Sequence, residues 1–408
     1  MAGRFIVGLD IGTAAVKVVA VEERQGVPLV RLVAKSVSEG LRKGVVVDVA
    51  DLSRALARVL GDVRKLAKPA LRNAYVSIGT PHVKTQASRG IVAVSRADAE
   101  IYEEDVERVI RASQAVNLPP NRLVVHHIPR EFVVDGVGDV TDPLGLSGSR
   151  LEVASLIVDA FAPHVKDVMR AVELGGGKIS GMVITPLGGS RAALSKRQKE
   201  LGAVFIDIGC GTTGMSVYEE GKLLGVAIFP MGGGNITNDI AIGLKIPVDA
   251  AEAIKVNYGC AVPKEVGNRE GIELGKFIEG ETGSVSRRFV AEIIESRLAE
   301  IFEFVHTELK ALGKVKGLAG GAILAGGGAK MPGIADLAKQ ELKLSTCIGF
   351  VQGEEWGSGL AGLSEHLEDP EFVNAFGLVR WALDREMPRE ANARSSFSLR
   401  NLFRYFLP

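Results

Sequence analysis

Two segments far apart in this 408-residue chain are written the same way. Residues 5–21 read FIVGLDIGTAAVKVVAV, and residues 204–217 read VFIDIGCGTTGMSV. Each brings an apolar run up to an aspartate, Asp10 or Asp207, then a turn of small residues, then a second apolar run. That order predicts a strand, a tight turn and a returning strand, with a carboxylate at the end of the first strand. Glycine lets a backbone approach a ligand closely, and successive turn N–H groups form a concavity for an anion. A single copy is an ordinary β-turn. Two copies imply a duplicated architecture. Facing hairpins could grip one polyphosphate from both sides, with Asp10 and Asp207 holding a metal ion through water.

Composition narrows what surrounds the hairpins. The length suits two or more domains, and 46% hydrophobic residues supply their cores. Only 5% are aromatic, which fits a Val/Ile/Ala/Leu-packed α/β protein better than a β-sandwich. A net charge of zero gives no electrostatic case for nucleic-acid binding. Cys210, Cys260 and Cys347 lack metal-ligand spacing and read as reduced thiols, with Cys210 in the second turn open to oxidation. No basic flank followed by an apolar core marks a signal peptide, and no apolar run is long enough to span a bilayer.

Between the hairpins, short strands are expected at 29–37, 44–47 and 74–79. A helix with Leu52, Ala55, Leu56, Val59, Leu60, Val63 and Leu66 on one side should end at Pro69. Residues 80–160 change character and read as a small inserted α+β unit, with strands at 85–94, 123–134 and 151–160. Its helix, 103–117, places Val106, Val109, Ile110 and Ser113 together. Residues 135–149 read as a loop. His126 and His127 are adjacent, so on a strand they face opposite ways and make no metal pair. A helix at 163–174 and a strand at 179–184 follow, and residues 185–190 lead into a short helix.

After the second hairpin, residues 223–231 extend its sheet. Gly232, Gly233 and Gly234 then open a helix at 235–244, an arrangement that aims N–H groups at an anion. Asp249 and Glu252 suggest a capping box for a helix at 250–258. Glu252 and Lys255 sit one turn apart on it, a spacing that a solvated pair explains equally well. Residues 263–284 read as a loop or small hairpin. A long helix, 285–312, should bury Phe289, Ile293, Ile294, Leu298, Ile301, Phe302, Val305 and Leu309. A strand at 319–325, the run Gly326, Gly327, Gly328 and Ala329, and a helix from about 333 to 342 repeat the strand–glycine–helix order that cradles nucleotides. Residues 356–369 read as loop and short helix, and 371–383 as the last helix of the fold.

From Arg385 the composition shifts to a linker with Pro388, Asn392, Ser395 and Ser396. A last short helix capped by Ser398 places Leu399, Leu402, Phe403, Phe406 and Leu407 on one face, with Arg400, Asn401 and Arg404 opposite. A terminal basic amphipathic helix behind a linker suits a membrane surface better than the alternative, a helix docked on the protein's own core. One so short anchors weakly, so several copies acting together are implied.

With these residues laid out, the chain resembles the actin/hsp70/sugar-kinase superfamily. Within it, the insert and the tail are similar to the FtsA family of bacterial cell-division proteins. The resemblance implies an α/β, actin-like, duplicated (ribonuclease H-like) two-domain fold with an inserted α+β subdomain and a C-terminal amphipathic helix. The expected units are a first domain (1–79, 161–190, 366–384), the insert (80–160), a second domain (191–232, 313–365), a helical subdomain on the nucleotide side (233–312), a linker (385–397) and the tail helix (398–408). The family resemblance implies ATP and magnesium as cofactors. Asp10, Gly12, Thr13, Ala14 and Lys17 match its first phosphate loop, and Asp207, Gly209, Gly211, Thr212 and Thr213 its second. Gly233, Gly234 and Asn235 resemble the turn near the ribose and phosphates. Glu252 and Lys255 match the adenosine-side helix, and Gly326, Gly327, Gly328 and Ala329 the adenosine loop. Leu399, Arg400, Leu402, Phe403, Arg404, Phe406 and Leu407 would contact lipid.

The same resemblance implies self-assembly into protofilaments and a peripheral place on the cytoplasmic face of the inner membrane at the division site. The implied partners are the tubulin-like protein FtsZ, inner-membrane lipids and other division proteins. Two departures stand out. Cys210 and Gly214 replace a Gly and an Asp of the family's second loop. Ile184-Thr185-Pro186-Leu187 offers no acid or amide where hydrolytic members position water, so at most weak ATPase activity is expected. A pilus-assembly actin-like protein lacks a reason for the terminal helix. A small-molecule kinase needs a catalytic Asp that is not evident near the second hairpin. An hsp70-type chaperone needs a substrate domain after the ATPase core.

Overall fold

The structure is a computed structural model that describes residues 4–386, apart from 25, 316, 354, 355 and 359. The linker from residue 387 onward and the expected tail helix lie outside the described residues.

In chain order, β1 (Arg4–Ile11), β2 (Ala15–Arg24) and β3 (Val27–Val37) form an antiparallel meander. A two-stranded ribbon follows, β4 (Leu41–Arg42) and β5 (Val45–Val46), then α1 (Val49–Leu66) and β6 (Ala74–Ile78). Asp48 caps α1 by accepting from the Asp51 N–H. The helix buries Leu52, Ala55, Leu56, Val59, Leu60 and Val63 of the expected face and stops at Ala67, before Pro69, but Leu66 in its last turn is exposed.

The insert comprises β7 (Lys84–Ala93), α2 (Glu103–Gln114), β8 (Arg122–Val134), β9 (Val137–Val140) and β10 (Arg150–Phe161). Its sheet runs β7-β10-β8-β9 and carries its own apolar core, including Val106, Val109, Ile110, Phe132 and Leu151. The span expected as pure loop at 135–149 contains β9, a short edge strand. His126 and His127 do face opposite ways. The His127 ring meets Ser113 of α2 (2.8 Å), while His126 Nε2 accepts from the Ile184 N–H (3.1 Å).

The chain returns through α3 (Ala162–Leu174), β11 (Ile179–Ile184) and α4 (Thr185–Ala193). The helix expected after residues 185–190 starts at Thr185 itself, because Pro186 favours its first turn. The second lobe begins with α5 (Lys196–Leu201), then β12 (Ala203–Ile208), β13 (Thr213–Glu219) and β14 (Lys222–Phe229). The helices α6 (Gly233–Leu244) and α7 (Val248–Tyr258), the small strands β15 (Gly271–Glu273) and β16 (Ser284–Ser286), and α8 (Arg287–Ala311) follow. Then come β17 (Gly321–Ala325), α9 (Ile334–Leu342), β18 (Thr346–Ile348), β19 (Gly357–Ser358), α10 (Leu363–Leu367) and α11 (Val373–Glu386).

Three expectations are corrected here. The Asp249/Glu252 capping box does not form, because α7 starts one residue before Asp249, at Val248, with Pro247 in the cap position, and no side chain caps it. Phe289 is 45% exposed, and α8 buries Val290 and Ala291 in its place. Arg385 and Glu386 continue α11 rather than starting the linker.

The two main sheets repeat one plan. The first runs β3-β2-β1-β6-β11 and the second β14-β13-β12-β17-β18, each an antiparallel meander followed by two parallel strands. One strand breaks the equivalence. Residues 357–358, expected with the second domain, pair with Leu29 and Val30 and extend the first sheet as β19. The first lobe's core also takes Phe372, Val373, Phe376 and Val379 from the last segment. Helices α4 and α11 cross where the lobes meet, at glycines. A Cβ on Gly377 would lie 2.1 Å from the Gly188 carbonyl oxygen, so the helices touch backbone to backbone.

Candidate functional site

The ends of β1 and β12 carry the two aspartates, and register fixes what stands opposite them. Asp10 pairs with Lys17, and Asp207 with Gly214. Both turns close identically, with Gly12 N–H on Ala15 O (3.1 Å) and Gly209 N–H on Thr212 O (2.9 Å). The duplication therefore extends to the hydrogen bond inside the turn, while the cation is kept in one copy only.

Each carboxylate has a dedicated holder. Ser77, at the end of β6, donates to Asp10 Oδ1 (2.9 Å) and accepts from the Ile11 N–H (2.8 Å). Asn374 of α11 donates to Asp207 Oδ2 (2.9 Å). Asp10 and Asp207 are both buried. Burial, reinforced by the charge of Asp10, pushes the Asp207 carboxyl up to about 6. Lys17 lies 3.4 Å from Asp10 and 3.9 Å from Glu371. Burial alone would lower the Lys17 ammonium, but Asp10, Glu371 and Asp207 together hold it above its ordinary value. Two carboxylates against one buried lysine leave negative charge to neutralise. The donors are hard oxygens with no sulfur or imidazole among them, which suits a magnesium ion held largely through water. Among the described residues, no cluster of three or more His, Cys, Asp or Glu side chains could hold a metal directly.

The turns converge. A Cβ on Gly211 would lie 2.6 Å from Thr13 Oγ1, so the first and second turns are in contact. Gly326, at φ +83°, packs so closely that a Cβ there would lie 2.3 Å from Asp207 Oδ1, and one on Gly328 would meet Ile208. Gly327 faces open space, and Ala329 is buried. Ala14 is exposed at the tip of the first turn, and Thr213 is buried with its hydroxyl donated to Met231 O (2.8 Å).

The start of α6 is arranged differently from the expected anion site. The Gly233 and Gly234 N–H groups donate to Gly209 O and Cys210 O (2.8 Å each), and Asn235 Oδ1 accepts from the Gly232 N–H. These groups lock the helix to the second turn instead of pointing at an anion. Glu252 and Lys255 are more than a solvated pair. Lys255 Nζ bonds Glu252 (2.6 Å), Thr237 Oγ1 (2.8 Å) and Gly233 O (3.2 Å), tying α7 to α6. Cys210 is exposed as a residue, yet its sulfur lies against Gly234, and desolvation there raises the thiol above its ordinary value, contrary to a reactive thiolate.

Sequence reading missed Ser77, Thr237, Glu371 and Asn374. Asn374 left a signal, being a polar residue inside the apolar run Phe372 to Val379. Glu371 left none. It pairs with Lys17, Lys35 (2.7 Å) and Lys330 (3.2 Å), two from the first lobe and one beside the third glycine turn.

Twin sheets of one plan, a three-stranded meander followed by two parallel strands, each carrying an aspartate at the end of its first strand over a shared cleft, define an actin-like ATPase fold. Solved structures agree. A PilM–PilN type IV pilus biogenesis complex matches with TM-score 0.64 at 20% identity, over 93% of this chain and 98% of that one. MreB5 of Spiroplasma citri bound to ADP matches with TM-score 0.54 at 15% identity, over 92% and 94%. The family is narrower. The model of cell division protein FtsA matches residues 204–377, and that of the SHS2 domain inserted in FtsA matches residues 80–159. The cell division protein FtsA of Bacillus subtilis is 34% identical over 92% of this chain and 83% of its own length. The chain belongs to the FtsA family of cell-division proteins.

Proposed function

We propose that this chain is an ATP- and magnesium-binding actin-like scaffold. It self-assembles, ties the FtsZ ring to the cytoplasmic face of the inner membrane and recruits later division proteins. The observation that carries the nucleotide reading is the pair of buried aspartates on two hairpins closed by the same turn hydrogen bond, with the third turn packed on Asp207 at Gly326. In this reading the backbone of the three turns binds phosphate and ribose, Lys17 neutralises phosphate charge, and Asp10 and Asp207 orient the waters of a magnesium ion. Magnesium, when bound, screens the phosphate charge.

Hydrolysis is slow or absent. Thr185 stands where a water-positioning acid or amide would act, and Pro186 crowds Gly214, whose Cβ would lie 3.2 Å from the proline ring. ATP then acts by favouring one lobe arrangement over another. Partner contact is assigned to 233–312, where α6 and α8 border a groove with exposed Ile242 and Phe289 and a paired Asp239 and Arg297. Charge reversals there that leave FtsZ binding intact would remove that assignment.

The test is vesicle flotation with purified FtsZ and ATP, comparing the full chain with one ending at Asn392. Co-flotation of FtsZ with the full chain only is expected. A full chain that stays in solution refutes the tether and moves weight to a pilus-type role, in which the anchor belongs to another protein.

A further inference from the structure

The β4–β5 ribbon ends in a two-residue loop, Lys43–Gly44, with both residues left-handed (φ +48° and +73°). Such a hairpin loop favours Asn, Asp or Gly at its first position, and a lysine there costs backbone strain. The loop is wedged into the cleft. Gly44 N–H reaches Thr13 Oγ1 of the first turn (3.4 Å). A Cβ on Gly211 of the second turn would lie 3.0 Å from Lys43 Cα, and one on Gly44 would lie 3.1 Å from Thr212 Cγ2. Lys43 is exposed, and among the described residues its ammonium has no ion-pair or hydrogen-bond partner, whereas Lys17, Lys35 and Lys330 around the same cleft are all engaged by carboxylates.

We infer that Lys43 is a phosphate-binding residue, a first-lobe cation whose ammonium meets the terminal phosphates of a nucleotide held between the two turns. This rests on the ATP reading above. The flexible four-carbon stem of lysine carries a point charge across the short gap between the turns. The ribbon belongs to the first lobe, and Gly211 and Thr212 to the second. The contact therefore exists only with the lobes closed, and Lys43 couples closure to the presence of terminal phosphates.

Affinities of the full chain for ATP and AMP, measured by calorimetry, test this with K43N, K43A and K43R. Asparagine suits the loop better than lysine, so a merely structural role predicts K43N equal to or better than wild type. The phosphate role predicts that K43N and K43A each lose about tenfold in ATP affinity, a difference of about 1.4 kcal/mol. Their AMP affinity should be unmoved, K43R should keep most of the ATP affinity, and K43N should melt no lower than wild type. ATP binding by K43N at wild-type strength, or equal losses for ATP and AMP, overturns the inference. A wild-type chain that binds no ATP overturns the nucleotide reading itself.

Discussion

Replacing Asp207 with asparagine should make the protein more stable and less able to bind nucleotide. The carboxyl titrates near 6 in the fold, because it is buried and repelled by Asp10, against 3.8 when unperturbed. That gap of about 2 units corresponds to about 3 kcal/mol. Below pH 3.8 the group is protonated in both the folded and unfolded chain and costs nothing. As pH rises toward 6, the unfolded chain releases a proton that the fold still holds, and stability is lost. Above 6 the full cost applies. The D207N chain carries no such charge, and its amide oxygen can still accept from Asn374. Urea unfolding followed by tryptophan fluorescence is the assay, since Trp356 and Trp381 both report on the first lobe's core against which α11 packs. D207N should gain about 3 kcal/mol at pH 7.5 and almost nothing near pH 4. Magnesium and ATP should stabilise wild type and leave D207N unmoved. Equal stability at pH 7.5, or a gap that does not change with pH, would refute the reasoning.

The other expectations concern the joints. G377A should cost about 1–3 kcal/mol, because a methyl 2.1 Å from the Gly188 carbonyl forces α4 and α11 apart, and chemical denaturation reads this directly. Lys222 of β14 pairs with Glu131 (3.0 Å) and Asp139 (2.7 Å) of the insert. K222E should therefore speed hydrogen exchange over residues 131–140 while changing global stability by less than about 1 kcal/mol. Burial lowers the His127 imidazole to about 4. Its contribution to stability is complete above its unfolded value of 6.5 and is lost as pH falls through 4. H127Q should therefore keep the insert's amides protected at acid pH where wild type opens.

The fold was legible in the chain because its signals are repeated. The aspartate-ended hairpin occurs twice, and the helices α1 and α2 display their buried faces at regular spacing. What stayed hidden depends on contacts between distant segments. Nothing local marks Glu371 as the partner of three lysines, or residues 357–358 as an edge strand of the first sheet. The start of α6 misled for a different reason. Its glycines are of the kind that receive anions, but the carbonyls of Gly209 and Cys210 arrive first. Phe289 departs from its stripe only at the first turn of α8, where Ala291 packs against Cys260 and Val266, while Ile294, Leu298, Ile301, Phe302, Val305 and Leu309 keep the expected face.

The last segment of the chain has a consequence for synthesis. The first lobe needs β19 on its edge and α11 over β1 and β2, and both lie beyond residue 356. A chain emerging from the ribosome can complete the second sheet, whose strands all fall within 203–348, while the earlier-made half still waits for its cover. The part made first therefore finishes last. A chain interrupted just after β18 would expose the face of the first sheet that Phe376 and Val379 otherwise close, so premature termination there should yield an aggregating product rather than a working half.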